Sequence, residues 1–167
     1  GTKIDSWEVN LSGKGKSMAE ITRAPVARVG VDLSKRVYQV HAVDRSGRVV
    51  LARPMQPQRF FDWCAQLVPG CIVAMETCGG AHHVARRLGL LGLDARLVAG
   101  HFVTPYRMAG KSGKNDANDA AAICEAAGRP HMRFVPVKTA EQQGQLAVHR
   151  LREGYKEERT ALINRIR

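Results

Sequence analysis

With 167 residues and 44% hydrophobic content, the chain has room for one domain with a real core and one appended element. Its 26 Lys and Arg against 15 Asp and Glu leave a formal charge of +11 and a pI near 10.1, which points to a polyanionic partner, most simply nucleic acid. No apolar run approaches the ~18 residues of a membrane span, no signal peptide is visible, and Cys64, Cys71, Cys78 and Cys124 form no C-x-x-C pair. A soluble protein of a reducing cytoplasm is the expectation, with Cys64 and Cys71 as buried thiols.

Residues 1–17 lack sustained periodicity and are expected to be a vector-derived or disordered leader, outside the fold. Gly15-Lys16-Ser17 looks like the end of a phosphate-binding loop, but the glycine that motif needs five residues earlier is Asn10. From Pro25 the pattern predicts strands over 27–33, 37–44 and 48–53. Arg45-Ser46-Gly47 separates the last two and predicts a hairpin. Pro57 opens a helix with Phe60, Phe61, Cys64 and Leu67 on one face, stopped at Pro69-Gly70. The aromatic pair there reads as core and not as a platform for stacked bases.

Residues 71–76 form a continuous apolar run, as in a central strand covered on both faces. A helix over 81–91 and a strand over 93–99 follow, so this section is expected to be parallel with right-handed crossovers. His82 and His83 read as surface histidines near a helix start. After a short irregular stretch to Met108, Arg107, Lys111 and Lys114 with Gly110 and Gly113 make a basic loop suited to phosphate contact. The helix 116–127 follows, capped by Asn115 or Asp116 and stopped by Gly128-Arg129-Pro130. Residues 139–167 read as one long helix, weakened at Gly154. Leu151, Tyr155, Leu162 and Ile166 share one face of it, and Arg150, Arg152, Lys156 and Arg159 line the others as further nucleic-acid ligands. The apolar stripe predicts a coiled coil between copies, leading towards a C-terminal domain beyond this chain.

Four acids carry the functional expectation. Asp32 lies in the strand Val29-Gly30-Val31-Asp32-Leu33, and Glu76 closes the apolar run Cys71-Ile72-Val73-Ala74-Met75. Asp116 and Asp119 are three apart, so a helix projects both to one side. A carboxylate in apolar surroundings must be neutralised, paired or bound to a metal. Converging carboxylates suit Mg²⁺, and a pair of such ions roughly 3.5–4 Å apart solves the problem of attack at an anionic phosphodiester. The competing interpretation gives each acid a separate duty: Asp32 pairing Lys35 or Arg36, Asp116 capping its helix, Asp119 solvated.

The runs Val29-Gly30-Val31-Asp32-Leu33-Ser34-Lys35, Ala74-Met75-Glu76-Thr77-Cys78-Gly79 and Lys114-Asn115-Asp116-Ala117-Asn118-Asp119-Ala120 occur in that order. Together they resemble the DEDD transposases, insertion-sequence recombinases guided by a bridge RNA. The tail Glu158 to Arg167 is similar to that family's helical linker. The resemblance covers about residues 26 to 167. It implies an α/β, RNase H-like (RuvC-like) domain over 18–138 followed by the long helix. It also implies Asp32, Glu76, Asp116 and Asp119 as catalytic metal ligands, Mg²⁺ (or Mn²⁺) as cofactor, and DNA and guide RNA as partners in a bacterial, nucleoid-associated setting. The resemblance implies that the attacking serine belongs to a second domain, expected beyond residue 167. Ser34, Ser46 and Ser112 are therefore expected in turns and loops, and the isolated chain is expected to have little or no recombination activity. A self-sufficient structure-selective nuclease and a non-catalytic nucleic-acid module are the alternatives. A third, an actin-like sugar kinase whose first strand also reads Val-Gly-Val-Asp, needs two such domains and does not fit the length.

Overall fold

A computed structural model describes residues 26–107 and 116–166. The expected leader, Ser112, and the basic positions Lys111 and Lys114 lie outside the described residues. Strands β1 (Val26–Asp32), β2 (Tyr38–Asp44) and β3 (Val49–Met55) come first, followed by helix α1 (Pro57–Cys64). Next come β4 (Ile72–Glu76), α2 (Ala81–Leu90) and β5 (Asp94–Val98), then a short helix α3 (Gly100–Val103) that runs into a 3₁₀ turn, Thr104–Tyr106. Helix α4 (Asp116–Ala127), strand β6 (Phe134–Val135) and helix α5 (Ala140–Ile166) complete the order.

The strands form one mixed sheet in the order β3-β2-β1-β4-β5-β6. β1, β2 and β3 are antiparallel neighbours, as the hairpin punctuation predicts, and β4 pairs parallel with both β1 and β5. At the hairpin, the Asp44 carboxylate accepts from the Ser46 backbone N–H, the Ser46 hydroxyl and the Arg48 N–H. Gly47 takes the left-handed φ of 81° that this tight turn needs. Ser34 closes the β1–β2 turn through Val37, so both described serines serve turns as expected. β6 is a two-residue strand antiparallel to β5, which the sequence pattern does not reveal.

Period-two alternation divides the core into two layers. Val29, Val31, Val73, Met75 and Leu97 pack with Phe60, Phe61, Cys64, Val84 and Leu88 of α1 and α2 on one face. Phe60 is fully buried and meets Tyr38 edge-on at 5.4 Å, so the aromatic pair belongs to the core. On the other face Ala74 and Val98 pack with Val103 and with Ala122, Ile123, Ala126 and Ala127 of α4. Cys64, Cys71 and Cys124 are buried free thiols; burial pushes the Cys71 thiol up to about 11 and raises those of Cys64 and Cys124 as well.

Small residues explain how closely α4 lies on the sheet. A Cβ on Gly30 would fall 2.2 Å from the Ala120 carbonyl oxygen and 2.4 Å from the Cys124 backbone nitrogen. The glycine of the first motif therefore makes room for a helix, while its valine neighbours fill the opposite face.

The long helix is rooted in the domain and exposed beyond it. Thr139 and Gln142 cap its start reciprocally: each backbone N–H donates to the other's side-chain oxygen. Arg86 of α2 donates to the Lys138 carbonyl and to Gln143 Oε1 (2.7 Å), and His82 Nδ1 accepts from the Lys138 N–H at 3.1 Å. His82 is thus half-buried and anchors the segment that leads into α5, a correction to its expected place as a surface histidine. His83 is exposed. Leu151, Tyr155, Leu162 and Ile166 are 62%, 69%, 55% and 85% exposed, so the stripe is not folded back on the domain.

Candidate nucleic-acid-processing site

The C-terminal ends of β1 and β4 position the first two acids. Val31 pairs with Met75 in parallel register, so Asp32 and Glu76, each one residue further on, end adjacent strands. Asp32 follows the parity of Gly30, and Glu76 that of Ala74. Both therefore belong to the face covered by α4. Their adjacency at one end of the sheet follows from the register alone.

Helix α4 brings the third acid. Its Ala-rich face sits against β1 and carries Asp119 to the same end of the sheet. One side chain joins Asp119 to Glu76: the Arg107 guanidinium places Nη2 2.9 Å from Glu76 Oε1 and Nε 2.8 Å from Asp119 Oδ1. The three are 30%, 24% and 16% exposed for Arg107, Glu76 and Asp119. Asp116 opens α4 as expected, but its side chain lies outside the described residues.

Gly100 gives the Glu76 carboxylate its space. A Cβ there would sit 2.9 Å from Glu76 Oε1, so a side chain at this position would push the carboxylate away from its present place. Neither Gly100 nor Gly30 stands out in the sequence as part of a site, because the space each leaves is defined by an element remote in the chain.

The basic positions fall into two groups. Arg107 faces inward to the acids, where sequence reasoning anticipated a phosphate ligand in a loop. Arg150, Arg152, Lys156 and Arg159 are exposed on α5, distant in sequence from the acidic centre, and Lys156 pairs with Glu153 at 2.9 Å.

The donor chemistry fits a hard divalent cation, which takes oxygen ligands. Two of the expected ligands already converge on one positive group, the Arg107 guanidinium, and Asp32 ends the neighbouring strand. Among the described residues, from which the Asp116 side chain is missing, no cluster of three or more His, Cys, Asp or Glu is gathered tightly enough to hold a metal.

Comparison with known proteins gives a consistent family picture. Residues 29–167 match the family model for DEDD transposases of the IS110 type, described as "Transposase". The chain is 51% identical over 142 residues to a "Probable family 20 transposase" of Pseudomonas aeruginosa, covering 85% of this chain and 41% of that protein. It is 44% identical over 139 residues to the "Transposase for insertion sequence element IS1111A" of Coxiella burnetii, covering 83% and 37% respectively. A third relative, the "Transposase for insertion sequence element IS1328" of Yersinia enterocolitica, is 40% identical over 144 residues, covering 84% and 41%. The chain thus spans about two fifths of the length of the curated relatives it matches.

Proposed function

This chain belongs to the IS110-type DEDD transposase family, and from that membership we propose that it is the RNase H-like catalytic portion of a transposase acting on DNA phosphodiesters. The observation that carries the proposal is the convergence of Glu76 and Asp119 on one cationic group, with Asp32 ending the strand beside Glu76. The sheet order agrees with an RNase H-like assignment, since it puts the first two acids on adjacent parallel strands at the centre of the sheet.

Asp32, Glu76, Asp116 and Asp119 would hold Mg²⁺ or Mn²⁺. When bound, such a cation supplies Lewis-acid polarisation of phosphodiester oxygens. The protein's own contribution is placement. β1 and β4 fix Asp32 and Glu76 by backbone pairing, and Gly30 lets α4 approach closely enough to bring Asp119 to them. The net charge of +11 attracts the DNA and guide RNA backbones, and the exposed cations of α5 offer phosphate contacts along a helix. The stripe Leu151, Tyr155, Leu162 and Ile166 makes α5 the element that pairs two copies.

In the whole transposase, Glu76→Gln or Asp119→Asn should abolish strand cleavage and leave DNA binding nearly intact. Equal loss of cleavage and binding would mean that the acids serve folding and not chemistry. Magnesium-dependent cutting of branched DNA by the 167-residue chain alone would instead mark a self-sufficient nuclease. Binding of DNA or RNA without any affinity for Mg²⁺ or Mn²⁺ would mark a non-catalytic module.

A further inference from the structure

Two of the acids proposed as cation ligands are already paired with one side chain of their own domain. Arg107 Nη2 donates to Glu76 Oε1 at 2.9 Å. Its Nε, 2.8 Å from Asp119 Oδ1, is buried, yet among the described residues the Nε–H has no acceptor in line. The second contact is therefore one of charge without a full hydrogen bond. Arg107 keeps 30% of its side chain exposed, so the guanidinium has a way out. Its backbone N–H donates to the Thr104 carbonyl at 3.2 Å.

Charge decides what can replace it. A guanidinium cannot lose its single positive charge, and set against two carboxylates it leaves one negative charge uncompensated. A divalent cation brings twice the charge to the same oxygens and prefers such hard donors. Both cannot occupy the space between Glu76 and Asp119 together. We propose that Arg107 is an exchangeable internal counter-cation: it holds Glu76 and Asp119 together in the cation-free domain and is displaced from them when a divalent cation enters. The displaced guanidinium is then available to a phosphate oxygen. Cation and nucleic acid should consequently tighten each other's binding, and linkage makes that effect reciprocal. Arg107 is in this sense a positioning residue, and its role rests on the cation-binding reading above.

The test is a Mn²⁺ titration of the 167-residue chain, followed by calorimetry and by thermal unfolding in EDTA and in saturating Mn²⁺. Wild type, Arg107→Gln, Arg107→Lys and Glu76→Gln are compared. Arg107→Gln should melt below wild type in EDTA, lose that deficit in Mn²⁺, and bind Mn²⁺ about fivefold or more tightly, the lower end of typical coupling. Arg107→Lys should fall between, because an ammonium is a point charge without the planar fork; it carries the same comparison if the Gln variant does not fold. An undiminished deficit in Mn²⁺, or no gain in affinity, would overturn the exchange and make Arg107 a permanent brace. If Glu76→Gln still abolishes Mn²⁺ binding in that case, the cation site itself stands. Absence of Mn²⁺ binding in every variant would overturn both.

Discussion

Gly30 and Ala120 are in backbone contact: a Cβ on the glycine would lie 2.2 Å from the Ala120 carbonyl oxygen. The neighbour is helix backbone and cannot rotate aside, so relief requires α4 to lift from β1. Overpacking of this kind costs about 1–3 kcal/mol and occasionally more. Gly30→Ala should lower the melting temperature accordingly and also separate Asp119 from Glu76. Thermal unfolding at wild-type levels would mean that α4 packs differently from the arrangement described.

A second prediction concerns the root of α5. His82 must be neutral for its Nδ1 to accept from the Lys138 N–H. Burial, then the nearby Lys138 and Arg86 charges, hold its pKa below the ordinary value of 6.5. A lowered folded-state value means that the contact's contribution is present above about pH 6.5 and is lost as the pH falls towards the folded-state value. Burial lowers His41 as well, so a raw stability slope mixes the two groups. The difference between wild type and His82→Ala should therefore shrink from pH 7.5 to 5.5. A lower protection factor for the Lys138 amide, its exchange rate corrected for the intrinsic pH dependence, should accompany it. A pH-independent difference would assign the anchor to Arg86 alone.

Much of this arrangement is legible in the sequence because it is local. Alternation reveals β1 to β3, a continuous apolar run reveals β4, the Arg45-Ser46-Gly47 turn reveals the hairpin, and helix 116–127 is bounded by its own flanking residues. The adjacency of Asp32 and Glu76 does not follow from chain order, because β4 inserts beside β1 and not beside β3, which precedes it in the chain. What escapes is whatever depends on a distant partner. β6 has only two residues and is a strand because Leu97 and Val98 lie beside it. Arg107 reads as a phosphate ligand until Glu76 and Asp119 are brought to it. His82 reads as a surface residue until Lys138 returns to α2. Gly30 and Gly100 look like ordinary small residues until α4 and the Glu76 carboxylate occupy the space they leave.

The third prediction tests α5 as an assembly element. A fully buried Leu is worth about 1.5–3 kcal/mol, and Leu151 and Leu162 are more than half exposed on the described chain. Replacing both with Asp should convert a dimer to a monomer by light scattering while the melting of the α/β domain is unchanged. A wild-type chain that is monomeric at high micromolar concentration would contradict pairing through this helix.

Asp32 ends the strand beside Glu76, and it offers the most direct test of the central claim. Mg²⁺ or Mn²⁺ that binds the folded chain at a hundred times its Kd stabilises it by about 2.7 kcal/mol. For a domain of this size that is a rise of roughly 5–10 °C in melting temperature. Thermal unfolding of wild type and Asp32→Asn, each in EDTA and in excess Mg²⁺, is the decisive measurement. The wild type should rise and Asp32→Asn should largely fail to; an equal rise in both would place the ions elsewhere and contradict the site.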